Sequence, residues 1–476
     1  MSSEKKLSAL GWRHLEKIRA HYDQVSTLTP AAASYRRILA HYYNLIIPPS
    51  ASVLEIGCGR GDLLAHLNAR RVTGVDLSAF QIERARQRVP WGRFFVQAGE
   101  ELELPGETFD YIVLSDTMNL VADVQLLFEK LHACAGPGTR LLLNFQSAVW
   151  RPALWLTSRL RLRTPPPENS WLASSDVKAL LALTEWEPIK TQSRILLPIG
   201  LAGLGPLVNR YLSPLLSWLC LSVFCIARPT AMSPRPPASV SVVIPARNEA
   251  GNIENAVLRT PAMGVWTELI VVEGHSTDGT WPEIQRVQAE YGDQRRIKIL
   301  QQSGQGKGNA VREGFAVAEG DILMVLDADL AVPPEELPKF YIAVAGGKCD
   351  VANGCRLIYP IEGRAMRFLN LCANKMFSLL FTWLLRQPIK DTLCGTKALT
   401  RANYLQIAAH RGYFGEFDPF GDFDLLFGAD RLNLKIGDIP IRYQERTYGR
   451  TNIQRWRHGW LLLRMVVFAA RKLRFT

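Results

Sequence analysis

The sequence predicts two α/β domains joined by a proline-rich linker. The chain has 476 residues, about three times the length of an ordinary domain. On both sides of the linker, short apolar strands alternate with glycine-rich turns and helical stretches, the pattern of parallel sheets with crossover helices. The linker contains four prolines, which suit neither a helix nor a sheet ladder. We therefore expect a first domain at 1–227, a linker at 228–239, a second domain at 240–454 and a tail at 455–476.

Composition and charge narrow the class of protein and of partner. Apolar residues make up 47% of the chain, so each half can bury a core and wholesale disorder is excluded. The 56 basic residues exceed the 44 acidic ones by 12, which predicts anionic partners such as phosphates or an acidic membrane face. Nucleic acid would also suit this charge. It is not expected as a partner, because the aromatic residues do not alternate with arginine and lysine as a stacking platform requires.

Targeting signals and cysteine patterns favour the cytoplasm. The N-terminus lacks the charged-then-apolar pattern of a signal peptide, and no apolar run predicts a membrane-spanning helix. Eight scattered cysteines form no Cys-x-x-Cys pair, so neither a zinc site nor a disulfide framework is expected.

The first half begins with a strand that runs into a glycine-rich turn. In SVLEIGCGRGDLLAHL, Val53 to Ile56 form the predicted strand, three glycines form the turn, and a helix is predicted from Asp62 onward. Glycine permits positive φ angles and lets a ligand approach the backbone closely. The next strand, VTGVD, ends on Asp76, 21 residues after Glu55. A carboxylate about 20 residues after such a turn holds a ribose diol in dinucleotide folds. The sequence therefore predicts a cofactor site.

These motifs, together with FDYIVLSDTMNLVADVQLLFEKLHACAGPGTRLLLN, resemble class I S-adenosylmethionine-dependent methyltransferases over roughly residues 40–227. The resemblance implies a Rossmann-like, mostly parallel seven-stranded sheet and S-adenosylmethionine as cofactor. It also implies that the glycines pack along the cofactor, that Asp76 takes its ribose hydroxyls and that Ser115-Asp116 faces the sulfonium. Gly99-Glu100 would lie near the adenine, although the family's usual Asp is absent there. The implied cofactor-binding residues are Glu55, Gly57, Gly59, Gly61, Asp76, Glu100 and Asp116.

The apolar stretch that ends the first half is expected to close this sheet. The segment LCLSVFCIARP predicts a final antiparallel strand, with a membrane hairpin over Ile195 to Ala227 as the alternative. Methyl transfer depends mainly on proximity and orientation. The sequence lacks an N/D-P-P-Y-type acceptor motif, so neither DNA nor protein amides are favoured as methyl acceptors. The alternative for the whole half is a fold retained as a scaffold.

The second half contains strands that end on carboxylates. SVSVVIPARNE and ELIVVEG each form a strand followed by polar residues, and GQGKGNA places Lys307 at a helix start, where a phosphate neighbour is expected. No GxxxxGK[ST] pattern is present, so a P-loop is excluded. The apolar run Ile322 to Leu326 leads into Asp327-Ala328-Asp329. Two carboxylates at a buried strand end are costly without a positive partner, and a divalent cation carrying a diphosphate suits them.

In this order, the motifs resemble family 2 glycosyltransferases of the GT-A fold over roughly residues 240–455, and among them the dolichyl-phosphate-mannose-synthase-like branch. The resemblance implies a nucleotide-diphosphate sugar donor and Mg²⁺ or Mn²⁺ held by Asp327 and Asp329. Glu273-Gly274 stands where the family has an Asp pair, and Ala331 where the branch often has Gln. The implied nucleotide-sugar-binding residues are Pro245, Arg247, Glu249, Glu273, Lys307, Asp327, Ala328 and Asp329.

The resemblance also assigns the acceptor side of this half. DTLCGTKAL puts Asp391 near the donor sugar, and GDFDLLFGAD puts Asp424 opposite the acceptor, so the expected catalytic residues are Asp329, Asp391 and Asp424. A lipid-phosphate acceptor would need no general base, whereas for a hydroxyl acceptor Asp424 or Asp422 would take the proton. Arg356 and Arg367 are expected to bind an acceptor phosphate bidentately, and the alternative is that they lie on a solvated face. The expected acceptor-binding residues are Arg356, Arg367, Arg446 and Arg450.

The tail, Arg455 to Thr476, is predicted to form a basic amphipathic helix. Trp456, Trp460, Leu463 and Val467 share one face at helical spacing, and arginines lie on another. From Ile441 onward, nine Lys or Arg residues stand against one acid. Such a helix favours the headgroup plane of an anionic membrane, and the alternative is a helix packed on the catalytic domain.

We expect, from all these features, a bifunctional cytoplasmic enzyme attached peripherally to the membrane. It would combine metal-dependent sugar transfer to a polyprenyl phosphate or a glycan with S-adenosylmethionine-dependent methyl transfer. Most relatives invert the anomeric centre, and inversion is implied here. The alternatives are a single-activity glycosyltransferase with a non-catalytic first half and a membrane-docked interaction protein in which both sites are inactive.

Overall fold

A computed structural model describes residues 7–25, 27–160, 172–198, 203–230, 236–359, 368–413, 422–444, 448 and 455–476. The chain divides into two compact units, and the division falls after Thr230. We call the part up to Thr230 unit 1 and the part that follows unit 2. Each unit is built on its own mostly parallel sheet flanked by helices, so the predicted fold of two α/β domains is confirmed.

Unit 1 contains, in its described part, a seven-stranded sheet in the order β3-β2-β1-β4-β5-β7-β6. Neighbouring strands from β3 to β5 are parallel, and β7 is antiparallel to both β5 and β6. The strands are β1 (Ser52–Ile56), β2 (Arg71–Asp76), β3 (Arg93–Val96), β4 (Phe109–Ser115), β5 (Ala135–Gln146), β6 (Trp186–Arg194) and β7 (Ser222–Pro229). The carboxyl ends of β1 to β5 therefore share one edge of the sheet.

Helices cover both faces of this sheet because its buried strands alternate their side chains between two cores. Val53 and Val113 point into one core with Tyr43 and Ile82, whereas Leu54 and Ile112 point into the other with Phe128. Ser8, Thr29, Ser78 and Asp123 cap the first four helices through their side chains. The helices are α1 (Ala9–Tyr22), α2 (Pro30–Ile46), α3 (Ala79–Arg88), α4 (Val124–Leu131), α5 (Arg151–Arg159), α6 (Ser174–Leu183) and α7 (Leu204–Tyr211).

Two details of unit 1 differ from the sequence-based expectation. The helix predicted from Asp62 is only a 3₁₀ turn, Leu64–His66, because β2 begins at Arg71 and leaves no room for a longer helix. The predicted closing antiparallel strand is confirmed as β7, but it extends to Pro229, beyond the expected domain end at residue 227. Arg228 lies in this strand and donates hydrogen bonds to Glu187 of β6 at 2.9 and 3.0 Å.

Unit 2 contains, among its described residues, a seven-stranded sheet in the order β10-β9-β8-β11-β13-β12-β14. β13 is antiparallel to β11 and β12, and the other neighbouring pairs are parallel. The strands are β8 (Val240–Ala246), β9 (Thr267–Glu273), β10 (Arg296–Gln301), β11 (Ile322–Val325), β12 (Val351–Cys355), β13 (Lys397–Thr400) and β14 (Ile436–Pro440). As in unit 1, β8, β9 and β11 present their carboxyl ends along one edge.

Helices also pack against this second sheet. Apolar residues of β8, β9 and β11, including Val242, Leu269 and Met324, form a core with Ile284 and Phe340 from flanking helices. The helices are α8 (Ile253–Arg259), α9 (Thr280–Tyr291), α10 (Lys307–Val317), α11 (Leu337–Ala345), α12 (Phe368–Leu385), α13 (Arg401–Ala409), α14 (Asp422–Arg431) and α15 (Arg455–Leu473).

The tail forms the predicted helix, α15, and it packs against α12. One face is buried and includes Met465, Val466 and Ala469, whereas Leu463 and Val467 on another face are exposed. α15 is thus a packed helix that also presents an outward apolar row. Within the described part of the chain, no helix combines the length and the apolar character needed to cross a bilayer.

Candidate functional site

The glycine turn of unit 1 follows β1 at the carboxyl edge of the sheet. Gly57, Gly59 and Gly61 have φ angles of +72°, +50° and +75°, which favour glycine. A Cβ atom at Gly57 would press on the side chain of Thr117 at 2.6 Å, so this glycine lets two loops pack together. Apart from its chain neighbours, no atom of the described residues lies within 4 Å of a Cβ built at Gly59. The backbone of Gly59 therefore faces open space that a ligand can enter.

Asp76 holds this turn in place from the end of β2. Its Oδ2 accepts a hydrogen bond from the Gly59 N–H at 2.8 Å, and its Oδ1 accepts one from the Ser78 N–H at 2.9 Å. Burial raises the pKa of Asp76, and these two N–H donors oppose that increase. Each carboxylate oxygen keeps a lone pair, so Asp76 can still accept hydrogen bonds from a ribose diol.

Glu55 lies on β1 beneath the turn and is buried. Its Oε2 has no hydrogen-bond partner among the described residues. Burial raises the pKa of Glu55 to about 8, and the nearby Arg36 guanidinium partly opposes the shift. A buried acceptor without a partner is costly, so Glu55 fits a site that a polar ligand completes.

A polar cluster surrounds Asp116, the residue after β4, which has a φ of +55°. Its Oδ1 accepts hydrogen bonds from Asn144 Nδ2 at 2.6 Å and from the Tyr35 hydroxyl at 3.2 Å. Arg36 lies 3.7 Å from the other carboxylate oxygen, and Tyr35 also contacts the Ser222 hydroxyl at 2.8 Å. The cluster brings residues from α2, β5 and β7 to the carboxyl edge, beside the glycine turn.

Sequence reasoning missed most of this cluster. Asn144 had a signal, because it is a polar residue at the end of the apolar run LLLN, as Asp76 is in its own strand. Tyr35 and Arg36 had no such signal, because they lie on a helix that precedes the glycine turn by about 20 residues.

Glu100, which sequence reasoning placed near the adenine, is buried. Its Oε1 accepts hydrogen bonds from the N–H groups of residues 122 and 123, so it holds the loop that enters α4.

In unit 2, the carboxylate pair Asp327 and Asp329 follows β11. Both side chains are partly exposed, whereas Ala328 between them is buried. Lys307 Nζ, at the start of α10, lies 2.5 Å from Asp327 Oδ1, and Asp329 Oδ1 accepts a hydrogen bond from the Ala331 N–H at 3.0 Å. Lys307 and the carboxylate pair therefore lie at the same place, with the lysine directly on one carboxylate.

A third segment approaches the same place. A Cβ atom at Gly395 would collide with both Lys307 Nζ and the Asp327 carboxylate, so the backbone of Gly395 lies against their ion pair. Only glycine leaves room for this approach. The start of α10, the end of β11 and the segment before β13 thus converge on one polar site.

The loops after β8 and β9 leave the same sheet edge as this site and are held by acidic residues. Glu249 is buried and accepts a hydrogen bond from Asn252 Nδ2 at 2.7 Å, and its backbone N–H donates to Thr280 Oγ1 at 2.9 Å. Glu273 Oε1 accepts a hydrogen bond from the Ser276 N–H at 2.5 Å. Pro245 is half-buried and Arg247 is exposed. Of the predicted nucleotide residues in these loops, Arg247 is the one whose charged group projects into solvent.

Comparison with known families assigns a different domain family to each of the two units. Residues 31–185 match the family model described as a methyltransferase domain, and residues 241–406 match that of glycosyl transferase family 2. The chain joins a methyltransferase domain to a family 2 glycosyltransferase domain. The resemblance deduced from the motifs is thereby confirmed.

Similar proteins match only part of the chain. A dolichol-phosphate mannosyltransferase of Pyrococcus furiosus is 37% identical over 122 residues, which are 25% of this chain and 33% of that protein. An undecaprenyl-phosphate 4-deoxy-4-formamido-L-arabinose transferase of Edwardsiella ictaluri is 28% identical over 216 residues, 44% of this chain and 62% of that protein. The chain therefore spans less than two thirds of either relative.

A solved S-adenosylmethionine-dependent methyltransferase of Thermotoga maritima is 16% identical and has a TM-score of 0.34. The match covers 46% of this chain and 98% of that one. A likeness this distant carries no argument about residues or chemistry.

Within the glycosyltransferase domain, Asp391 is fully buried and paired with Arg356. Arg356 Nε and a terminal guanidinium nitrogen donate to the two carboxylate oxygens at 2.7 and 2.8 Å, and Asn374 Nδ2 donates at 2.9 Å. Burial alone would raise the pKa of Asp391, but Arg356 holds it at about 2. The expected sugar-side carboxylate and an expected acceptor-side arginine are therefore partners of each other.

The structure describes only some of the other residues expected on the acceptor side. Asp424 forms an ion pair with Arg411, with 2.8 Å between Asp424 Oδ2 and Arg411 Nε. Arg367, Arg446 and Arg450 lie outside the described residues, as does the side chain of Asp422.

The carboxylate pair also bears on the expected metal. Among the residues that the structure describes, no group of three or more His, Cys, Asp or Glu side chains could hold a metal ion. Two partly exposed carboxylates fit a hard cation such as Mg²⁺ or Mn²⁺ when a diphosphate supplies further oxygen ligands. The donor set of Asp327 and Asp329 therefore fits a metal that arrives with the donor nucleotide.

Proposed function

We propose that the chain is a bifunctional enzyme. One domain would transfer a sugar from a nucleoside-diphosphate sugar to a polyprenyl phosphate, and the other would methylate an acceptor with S-adenosylmethionine. The observation that carries the first activity is the meeting of Lys307, Gly395 and the carboxylates of Asp327 and Asp329 at one sheet edge. The names of the two relatives mention dolichol phosphate and undecaprenyl phosphate, which are both polyprenyl phosphates and support this acceptor class.

Sugar transfer in this site would depend on electrostatic stabilisation of the diphosphate leaving group. A Mg²⁺ or Mn²⁺ ion bound by Asp327 and Asp329 would neutralise the diphosphate leaving group. Lys307 adds a positive charge at the N-terminus of α10, where anions are favoured. An oxygen of the ionised lipid phosphate would attack the anomeric carbon, whose bond to the diphosphate oxygen breaks, with inversion. This acceptor needs no general base, in keeping with the ion pair that occupies Asp424.

Methyl transfer would use the polar cluster of unit 1. Gly59 and Asp76 offer a backbone cradle and a ribose-binding carboxylate for S-adenosylmethionine. A lone pair of the acceptor would attack the methyl carbon, and the electrons of the carbon–sulfur bond would pass to sulfur. With a hydroxyl acceptor, the carboxylate of Asp116, oriented by Tyr35 and Asn144, would receive the proton.

Matched variants of the full chain test the two activities separately. Asp329→Asn is expected to abolish sugar transfer to polyprenyl phosphate and to leave S-adenosylmethionine binding unchanged. Asp76→Ala is expected to weaken that binding, measured by calorimetry, and to leave sugar transfer unchanged. Asp293→Asn, an exposed acid next to β10, is the control for both.

Two results would count against the proposal. Sugar transfer by Asp329→Asn at the wild-type rate would refute the metal site. A folded wild-type chain that binds no S-adenosylmethionine would leave a single-activity glycosyltransferase.

We also propose that unit 2 attaches peripherally to an anionic membrane, so that the lipid acceptor reaches the site at the interface. Trp460 on α15 is 64% exposed and Leu379 on α12 is 73% exposed, and these two helices pack together. Arg464 and Arg471 are exposed beside them. Exposed tryptophan and leucine flanked by arginines are typical of helices that lie in the headgroup region.

Flotation with vesicles of phosphatidylcholine and phosphatidylglycerol tests this attachment. W460Q/V467Q is expected to reduce flotation several-fold at low salt, and I342Q, an exposed position on α11, is the control. Equal flotation of the variant and its control would make α15 a packing helix only.

A further inference from the structure

A second apolar surface lies in the methyltransferase domain, on two segments that leave the same sheet edge. Residues 147–160 follow β5, and residues 203–219 precede β7, its antiparallel neighbour. The Trp150 indole N–H donates to the Leu219 carbonyl at 2.7 Å, and the Ser147 N–H donates to the Leu221 carbonyl at 2.7 Å. The two segments therefore emerge side by side. We call them together the edge surface.

The edge surface exposes many large apolar side chains. Trp155 and Trp218 are 63% and 67% exposed, and α5 has no buried residue. Scattered exposed apolar residues are normal, but so many in two adjoining segments mark an interaction surface. The other exposed large apolar residues are Val149, Leu156, Leu160, Leu204, Leu207, Tyr211, Leu212 and Leu215.

The charge of the edge surface has one sign. Its two segments contain Arg151, Arg159 and Arg210 and no acidic residue. The Arg159 guanidinium lies 5.8 Å from the centre of the Trp155 ring, so a positive charge and an aromatic ring occur together. Tryptophan, leucine and arginine without acids form the composition that binds the interface of an anionic bilayer.

The edge surface also adjoins the polar cluster around Asp116. Ser222, the first residue of β7, contacts the Tyr35 hydroxyl, which in turn donates to Asp116. Residues 203–219 lead directly into that strand. An acceptor held in a bilayer on the edge surface would therefore have its polar group close to the cluster.

We propose that residues 147–160 and 203–219 dock on an anionic lipid bilayer and bring the methyl-acceptor site to the membrane surface. The docking is independent of the attachment proposed for α15. Only its consequence for the methyl acceptor, which would then be borne by a lipid, rests on the proposed function. A second copy of the chain could also cover this surface, and the test separates the two.

Hydrogen–deuterium exchange of the full chain tests the docking locally and needs neither cofactor nor activity. With vesicles of equal parts phosphatidylcholine and phosphatidylglycerol, amide exchange in residues 147–160 and 203–219 is expected to slow several-fold. The chain used carries W460Q/V467Q, so that attachment through α15 does not obscure the result. Unchanged exchange in both segments would overturn the proposal.

Flotation of matched variants in the same background provides the second measurement. W155Q/W218Q is expected to lower flotation several-fold. W91Q is the control, because Trp91 is 65% exposed but lies just before β3, at the opposite sheet edge. Equal loss in both would overturn the proposal, as would equal binding to pure phosphatidylcholine. A wild-type dimer without vesicles that W155Q/W218Q converts to a monomer would assign the surface to a second copy instead.

Discussion

At the residue scale, Arg356 and Asp391 form a buried, bidentate ion pair. Removing water from two charges is costly, and their attraction and the added hydrogen bond from Asn374 offset that cost only while both partners are present. The pair thus explains how a carboxylate is kept ionised inside the domain. It also means that a substitution of Asp391 tests packing as well as chemistry.

Asp391→Asn is expected to lower the free energy of unfolding of unit 2 by about 3 kcal/mol, because Arg356 would remain buried without its counter-charge. Urea unfolding followed by circular dichroism measures the change. The double variant Arg356→Met with Asp391→Asn is expected to regain part of the loss. A single variant as stable as the wild type would show that the pair contributes nothing, leaving only a catalytic role for Asp391.

Glu55 gives a pH-dependent prediction. Its ordinary pKa is near 4.5 and burial raises it to about 8 in the folded protein, so the folded state holds a proton that the unfolded chain releases. The free energy of unfolding should therefore fall as the pH rises from about 4.5 to 8, by no more than about 5 kcal/mol. Glu55→Gln is expected to flatten this decline in the melting temperature of unit 1 between acidic and alkaline pH.

The exposed residue Glu101, substituted by Gln, is the control for this comparison. Its melting profile should follow that of the wild type. If Glu55→Gln also followed the wild type across this pH range, the carboxyl would be ionised in the folded protein and the explanation by burial would be wrong.

At the element scale, two glycines in the turn after β1 have different structural roles. The Cβ of Ala at Gly57 would meet Thr117, whereas at Gly59 it would meet no atom of the described residues within 4 Å beyond its chain neighbours. Both positions have positive φ, so each substitution also costs about 1–2 kcal/mol of backbone strain. The structure thus assigns the first glycine to packing and leaves the second facing open space.

Gly57→Ala is expected to destabilise unit 1 more than Gly106→Ala, because Gly106 also has a positive φ, +76°, but no atom in the described part of the chain, its neighbours aside, lies within 4 Å of a built Cβ. Gly59→Ala is expected to match Gly106→Ala in stability yet to lose S-adenosylmethionine affinity, because its methyl group fills the ligand space. Thermal unfolding and calorimetry measure the two effects. Full affinity in Gly59→Ala would remove the cofactor from this turn.

At the scale of the whole molecule, two units with separate cores should unfold independently. The full chain is expected to show two thermal transitions. S-adenosylmethionine should raise one and a uridine or guanosine diphosphate with Mn²⁺ the other, since a ligand stabilises only the unit that binds it, by about 2.7 kcal/mol at 100 times its Kd. Differential scanning calorimetry measures both.

The variant Asp76→Ala is the control, and it should lose only the shift caused by S-adenosylmethionine. A single transition raised by both ligands would show that the units fold as one. The boundary for separate expression is Thr230 rather than residue 227, because β7 runs to Pro229.

The sequence by itself determined the features that contiguous residues encode. Apolar runs ending on Asp76, Ser115 and Asp327 predicted strands with functional carboxyl ends, and glycine and proline marked the turn and the linker. The predicted strands and the glycine turn are observed, because strand alternation and glycine conformations are local properties. The prediction of a helix from Asp62 onward was wrong, because the length of a helix there is limited by the start of the next strand.

Which distant residues meet depends on the tertiary structure. Sheet order brings α2 beside β4 and β5, so Tyr35 and Asn144 reach Asp116 across 81 and 28 residues of chain. The same holds for Arg356 and Asp391, which sequence reasoning assigned to different roles and which the fold joins as partners. α15 was expected either to bind a membrane or to pack, and it packs one face while leaving Trp460 exposed. Residue patterns report which face of a helix is apolar, but burial depends on neighbours that the chain brings together only when it folds.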